Sequence, residues 1–305
     1  MLRDDGANGR SQRRTQTAAQ HSMPRALVAG ATGYLGRSLV SELKRRGYWV
    51  RVLVRRPDQS REFPDVDDVF VGQITDAESI RDVAASMDVV YSTVGITRQR
   101  DGFTYDDVDY RGNLGLLKEA ERARAGRFVY VSILHGRQLR HVRLIAAKER
   151  FVDALVASPI AHTVIRPTGF FSDMGEFVRM AKRGRVYLIG DGKLRMNPIA
   201  GADLAALCVD AAERADECVE AGGPDVYSYD ELATHACRAV DEPVRVLHFP
   251  ARLIRAALSA LRLVTPVSVY GPIEFFVTVM TTEMVAPRCG SHHIDDFFTT
   301  LADEA

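Results

Sequence analysis

The chain has 305 residues, 46% of them apolar, with 40 basic and 40 acidic side chains. That length can bury one large domain or a domain plus a small lobe, and the balanced charge gives no sign of nucleic-acid binding through bulk electrostatics. Cys208, Cys218, Cys237 and Cys289 are scattered without a CxxC pair, which argues against a zinc site and fits reduced thiols in a cytoplasmic protein. No apolar run reaches membrane-spanning length.

Residues 1–22 are polar, carry Arg3, Arg10, Arg13 and Arg14, and lack an apolar h-region, so they read as a disordered tail rather than a secretory signal. Asp4 and Asp5 count against a transit peptide, and Met23 directly precedes the first strand. Residues 25–29 form that strand. Gly30, Gly33 and Gly36 follow at three-residue spacing, and Leu35, Leu39, Val40 and Leu43 repeat at helical period up to Gly47. The first-turn N–H groups of such a helix lack partners and its dipole favours negative charge, so a phosphate fits there. Glycines let the backbone approach a pyrophosphate and let the helix lie close on the sheet. A glycine triplet after a strand and opening a helix is the context of a dinucleotide site, with Gly30, Thr32, Gly33, Tyr34, Leu35 and Gly36 as its contacts.

The second strand, 49–54, ends in Arg55 and Arg56, where an NAD site usually places an acid for the ribose 2′-OH. Two guanidiniums suit a 2′-phosphate, which points to NADP(H) over NAD(H). Alternatively Arg56 is solvated before Pro57 and only Arg55 touches the cofactor. Further strands are expected at 66–71, 88–94, 127–133 and 162–166, alternating with helices, which reads as a doubly wound α/β parallel sheet covered on both faces. Between them, Thr75 with Glu78 has the form of a capping box, and Leu114, Leu117 and Ala120 make a helical stripe.

Val94 and Gly95, after the fourth strand, lie near the switch point where such sheets bind ligands, although a glycine there also suits an ordinary turn. The loop 97–105 carries Arg98, Arg100, Asp101 and Tyr105; it either reaches over substrate or is an exposed loop. After Arg166 the alternation loosens into a strand at 185–189, the turn Gly190-Asp191-Gly192, and a helix capped by Ser228 and Glu231 that runs to about Ala239. A basic amphipathic helix at 251–264, with Arg252, Arg255 and Arg262, leads into an apolar stretch to Met280. Residues 251–280 either pack within the lobe or contact a lipophilic substrate or a membrane surface. His292 and His293 are adjacent, poor spacing for one metal, and read as structural or surface residues. The expected division is a dinucleotide-binding core at 23–166, with the last sheet elements and a substrate lobe at 167–305.

The series VAGATGYLG, LVRRP, VDYRGNLGLL, FVYVSIL, AKERF, RPTGFF and LIGDGKLRMNPIAGADLA resembles the atypical branch of the short-chain dehydrogenase/reductase family, which holds isoflavone reductase-like, NmrA-like and divinyl chlorophyllide reductase-like proteins. The resemblance covers about residues 24–245. It implies a seven-strand Rossmann sheet with a smaller C-terminal lobe over the nicotinamide. It further implies that Lys148 contacts the ribose hydroxyls, donates a proton, or both; the alternative for Lys148 is a solvated helix lysine. Ser132 would polarise an oxygen; Pro167, Thr168, Gly169 and Phe170 would lie beside the nicotinamide; Asp203 would anchor a helix.

One departure stands out. Ordinary members carry Tyr-x-x-x-Lys, and here Leu144 stands four residues before Lys148, on the same helix face but with no proton to give. Tyr91, Tyr105, Tyr110 and His135 are candidate substitute acids; Tyr91 and Tyr110 sit in elements that favour packing instead, and His135, three residues past Ser132, is the best placed. The expected function is therefore an NADP(H)-dependent oxidoreductase for a small, apolar or conjugated substrate, with a non-catalytic NADP(H)-binding regulator or assembly factor as the alternative.

Overall fold

The structure is a computed structural model and describes residues 23–99 and 102–303. The expectations for residues 1–22 and for Arg100 and Asp101 fall outside the described residues. In the core, strands β1 (Arg25–Ala29), β2 (Trp49–Val54), β3 (Asp68–Val71), β4 (Val89–Ser92), β5 (Arg127–Val131) and β6 (Ala161–Pro167) are all parallel. The chain then makes β7 (Val186–Ile189) and β8 (Arg195–Met196) outside the sheet, and β9 (Cys218–Ala221) returns beside β6. The resulting seven-stranded sheet has the order β3-β2-β1-β4-β5-β6-β9. The order reverses between β1 and β4, which opens a crevice at their C-terminal ends.

Because both sheet faces are covered, β1 is apolar after Arg25, and Ala26, Leu27, Val28 and Ala29 are all buried. Helix α1 (Tyr34–Arg45) buries Leu35, Leu39, Val40 and Leu43, the expected stripe. It packs with α5 (Gly201–Arg214) on one face, where Leu39, Leu204, Cys208 and Val209 share a core. The other face is covered by α2 (Asn113–Arg122) and α3 (Arg143–Ala157), which contribute Leu116, Leu117, Phe151 and Leu155. A third core joins the sheet's edge to the C-terminal lobe. It contains Leu134 and Leu144 together with Phe177 of α4 (Phe171–Lys182) and Leu232 of α6 (Tyr229–Ala239).

The lobe is tied by two small pairings: β8 with β10 (Tyr227–Ser228), and β7 with β11 (Val246–Phe249). Helices α7 (Ala251–Val264), α8 (Val267–Met280) and α9 (Ile294–Asp303) complete it. The Ser228–Glu231 box forms as expected: the Glu231 N–H donates to Ser228 Oγ (3.2 Å) and the Ser228 N–H to Glu231 Oε2 (2.7 Å). Among the described residues no helix is long and apolar enough to cross a membrane.

The Thr75–Glu78 capping box does not form. Asp76 takes the capping role by accepting the Glu78 N–H (3.1 Å), while the Thr75 hydroxyl accepts from the Gln73 side chain (3.0 Å). Successive turns, with Asp82 and Ser86 left-handed, replace a helix there. Three strands are shorter than expected: 66–71 begins at Asp68, 88–94 ends at Ser92 and 127–133 ends at Val131. In the last two the chain leaves the ladder early at the C-terminal edge, where the loops of the site are built.

Candidate active site

Gly30 follows β1 with φ +83°, a left-handed conformation, and a Cβ there would lie 2.5 Å from Thr93 Oγ1. A Cβ on Gly36 would fall inside the Gly30 carbonyl, so α1 touches the loop backbone directly. The Gly33 N–H donates to the Gly30 carbonyl (3.0 Å) and closes the turn. Gly33 caps α1 in an extended conformation with no side-chain cap and no acid in the first turn. The helix N-terminus therefore offers its N–H groups and its positive dipole end to an anion. Thr32, Gly33 and Tyr34 line the open side, whereas the Leu35 side chain is in the core and presents only its backbone. A cradle that a Cβ would fill, at the N-terminus of an uncapped helix, fits a dinucleotide pyrophosphate.

Arg55 and Arg56 stand exposed just past β2, and both their N–H groups donate to Gln59 Oε1 (3.0 Å each), which fixes the turn. Arg56 Nε lies 3.2 Å from Asp58, a solvent-exposed pair. A third guanidinium, that of Arg37, donates to the Thr32 carbonyl (3.1 Å) and pairs with Glu62 (2.6 Å). Arg37 stands directly after the last glycine of the motif, a place beside the loop that the glycine spacing does not signal.

Across the crevice, Ser92 donates to Asn113 Oδ1 (2.5 Å), and Asn113 donates to the Asp109 carbonyl (3.0 Å) and to the Val94 carbonyl (3.4 Å). This fixes the chain at Val94 and Gly95 against a π-helical turn, Asp106–Gly112, which carries Asp109. A Cβ on Gly95 would lie 2.5 Å from Lys148 Nζ and 2.6 Å from Asp109 Oδ1. Lys148 Nζ is 3.0 Å from that carboxylate oxygen, and the Ile96 N–H donates to the other (3.2 Å). Burial opposes charge on Lys148, but Tyr130 and Asp109 outweigh it and raise Nζ above the ordinary lysine range. Burial raises the Asp109 carboxyl, and Lys148 pulls the other way. Lys148 is thus a half-buried, partnered ammonium beside Gly95, with 15% of its side chain exposed, not a solvated helix lysine.

Ser132 is buried, and its hydroxyl donates to Glu149 Oε1 (2.7 Å). Arg166 grips both Glu149 oxygens, at 2.8 and 3.0 Å, and also donates to the Ile133 carbonyl (3.1 Å). The Ser132 proton is thereby committed to a buried ion pair behind the crevice. Leu144 packs in the lobe core with Tyr105 and Phe171. Of the substitute acids, Tyr91 is in the sheet core, Tyr105 donates to the Thr97 carbonyl (2.9 Å) beneath Gly271, and Tyr110 carries the Arg150 guanidinium 4.0 Å from its ring centre. His135 is half-buried in a left-handed turn at φ +56°.

The 167–170 loop is braced from three sides. Pro167 accepts the Leu134 N–H (2.9 Å), the Thr168 hydroxyl donates to the Asn197 carbonyl (2.6 Å), and Gly169 accepts the Ile199 N–H (2.8 Å). Phe170 has its ring centre 5.9 Å from that of Tyr34, whose hydroxyl accepts the Gly201 N–H (3.0 Å). The glycine loop, the 167–170 loop and the start of α5 are therefore one connected unit. Asp203 accepts the Ser291 and His292 N–H groups (3.1 and 3.0 Å) and lies 2.8 Å from His292 Nδ1, so it anchors the C-terminal segment to α5. His293 pairs with Asp225 (2.5 Å). No group of three potential metal ligands occurs among the described residues. A cavity of about 780 Å³ opens in the lobe, with Leu194, Tyr229, Arg252 and Met280 among its walls, and it shares no residue with the glycine loop or with Lys148.

Asp109 and the Glu149–Arg166 pair were not anticipated from sequence. A signal for Glu149 existed, since it falls between Ile145 and Val152 on the buried stripe of α3, where a carboxylate requires a partner.

A family model described as NAD(P)H-binding matches residues 30–215. Divinyl chlorophyllide a 8-vinyl-reductase, chloroplastic, from Oryza sativa subsp. indica is 33% identical over 258 residues, which is 77% of this chain and 63% of that protein. Photosystem II assembly factor Ycf39 from Guillardia theta is 28% identical over 149 residues, 48% of this chain and 47% of that one. Among solved structures, an NADPH-dependent quinone oxidoreductase complexed with NADPH, from Escherichia coli, superposes with TM-score 0.71 at 15% identity. It covers 90% of this chain and 99% of that one, a likeness of fold.

Proposed function

The chain belongs to the NAD(P)H-binding family, and on that premise we propose that it is an NADP(H)-dependent oxidoreductase for a small, apolar or conjugated substrate. The observation that carries this reading is the half-buried Lys148 ammonium beside Gly95, held at 3.0 Å by the fully buried Asp109. The glycine loop and the N-terminus of α1 hold the pyrophosphate, and Arg55 and Arg56 take the 2′-phosphate. Val94, Gly95 and residues 167–170 flank the nicotinamide, which supplies a hydride when bound. Lys148 orients the ribose and keeps a proton at Nζ, and Asp109 holds that nitrogen charged. With Leu144 in the tyrosine position, the proton comes from Lys148 or from water. This suits reduction of an activated alkene or quinone better than of an ordinary ketone. The scattered thiols, all four free, go with a cytoplasmic placement, though the rice relative's name carries the word chloroplastic.

Oxidation of NADPH by purified protein against conjugated alkenes, quinones and ketones tests the reading, alongside Lys148→Met. Turnover of an alkene or quinone that falls at least about tenfold in the variant supports it. Full-rate ketone reduction indifferent to Lys148→Met refutes it. A second reading, a non-catalytic NADP(H)-binding regulator or assembly factor, is favoured by the commitment of the Ser132 proton to Glu149. Equal affinity for NADP+ and NADPH, with no turnover across the panel, would select it.

A further inference from the structure

The outer face of the α7–α8 pair is unlike that of water-facing helices. α7 buries Leu258 and packs Ile254 and Leu261 toward α8, which is the stripe an amphipathic helix needs. The remaining side should be polar, yet Leu253, Leu263 and Val264 are 66%, 86% and 79% exposed. Ala256, Ala257 and Ala260 are exposed with them. α8 repeats the pattern: Tyr270, Glu274 and Val277 are buried, while Val269, Ile273 and Phe276 stand exposed at i, i+4 and i+7. Single exposed leucines need no explanation, but an apolar face running along two successive helices does.

Charge on this surface has one sign. Residues 251–280 carry Arg252, Arg255, Arg262 and Glu274. Glu274 is buried, accepts the Arg143 N–H at the start of α3 (2.9 Å) and pairs with Arg262. Arg252 and Arg255 are exposed on the first two turns of α7, where both also line the open lobe cavity, and they make no ion pair among the described residues. The outward side chains of α7 are otherwise apolar apart from Ser259. A protein interface would use directional polar groups at its rim; a lipid surface asks only for apolar insertion and cationic contacts.

We propose that the outer face of α7–α8 docks in the plane of an anionic lipid bilayer, with Leu263, Val264, Ile273 and Phe276 at the acyl boundary and Arg252 and Arg255 on lipid phosphates. Each helix has 14 residues, enough to lie in the interface and too few to cross it. This goes beyond the oxidoreductase reading and does not depend on it.

The test is co-flotation of the full chain with vesicles of phosphatidylcholine alone and with vesicles that also contain phosphatidylglycerol, at low and high salt. Binding is expected on the anionic vesicles and to fall with salt. Arg252→Ala and Arg255→Ala should each weaken it about fivefold. Leu263→Glu with Phe276→Glu should weaken it by about tenfold or more, with circular dichroism, thermal midpoint and NADPH affinity unchanged. No flotation of the unaltered chain on anionic vesicles overturns the proposal. So does flotation insensitive to the glutamate substitutions, or a lipid-free dimer that Leu263→Glu dissolves, which would give the face to a second copy.

Discussion

Replacing Asp109 by Asn keeps the shape of the side chain and removes the carboxylate that faces Lys148 at 3.0 Å. Asp109 is fully buried, so the variant leaves a half-buried ammonium without its counter-charge, a change that costs up to about 3–5 kcal/mol, the figure for a buried pair. For 305 residues, an unfolding entropy of about 2.1 cal/mol/K per residue converts this into a fall of about 5–8 °C in Tm. The pH dependence carries the sign of the effect. In the native protein Lys148 is raised above its unfolded value, so its contribution is complete below about pH 10 and is lost only as pH rises through the folded value. In Asp109→Asn the burial effect, which lowers the lysine, loses Asp109, one of the two groups that oppose it beside Tyr130. The unfolded chain then binds more protons than the folded one, and stability should climb from about pH 7 to about pH 10. Thermal unfolding followed by circular dichroism over that range measures both. Combining Asp109→Asn with Lys148→Met should recover most of the loss, because no unpaired charge remains buried. A Tm loss below about 2 °C with no pH slope would refute the claim that Asp109 holds Lys148.

Gly36→Ala forces a Cβ into the Gly30 carbonyl; it should cost about 1–3 kcal/mol and abolish dinucleotide binding, read by thermal shift with and without NADPH. Glu149→Gln leaves the Arg166 guanidinium buried without its bidentate partner; chemical denaturation should show a loss of about 3–5 kcal/mol. Leu144→Tyr restores the family's tyrosine position but inserts a larger polar side chain into the packed lobe core. It should destabilise by about 1–3 kcal/mol without yielding ketone reduction, checked by Tm and by an NADPH oxidation assay.

The sequence made the core of this fold legible because periodicity and turn chemistry were local. Leu35, Leu39, Val40 and Leu43 bury as their spacing requires, and Gly30 adopts the positive φ that its place after β1 suggests. Ser228 and Glu231 form their box, whereas Thr75 and Glu78 do not, because Asp76 next door competes for the same N–H. What stayed hidden was pairing across long separations. Asp109 meets Lys148, Ser132 meets Glu149, and Asp203 meets the chain at His292, contacts that tertiary packing alone brings together. The same is true of the outer face of α7, whose Leu263 and Val264 a sequence reading could equally assign to the core of the lobe.

In the proposed function the glycine loop, the arginines past β2 and Lys148 together hold a dinucleotide. Calorimetric titration with NADPH, NADP+, NADH and NAD+, repeated on Arg55→Ala and Arg56→Ala, tests it most directly. NADP(H) binding should weaken by about 10- to 100-fold in the arginine variants, the range for a charge-assisted contact, with NADH affinity little changed. Failure of the unaltered protein to bind any of the four would contradict it and leave the sheet as a scaffold for other work.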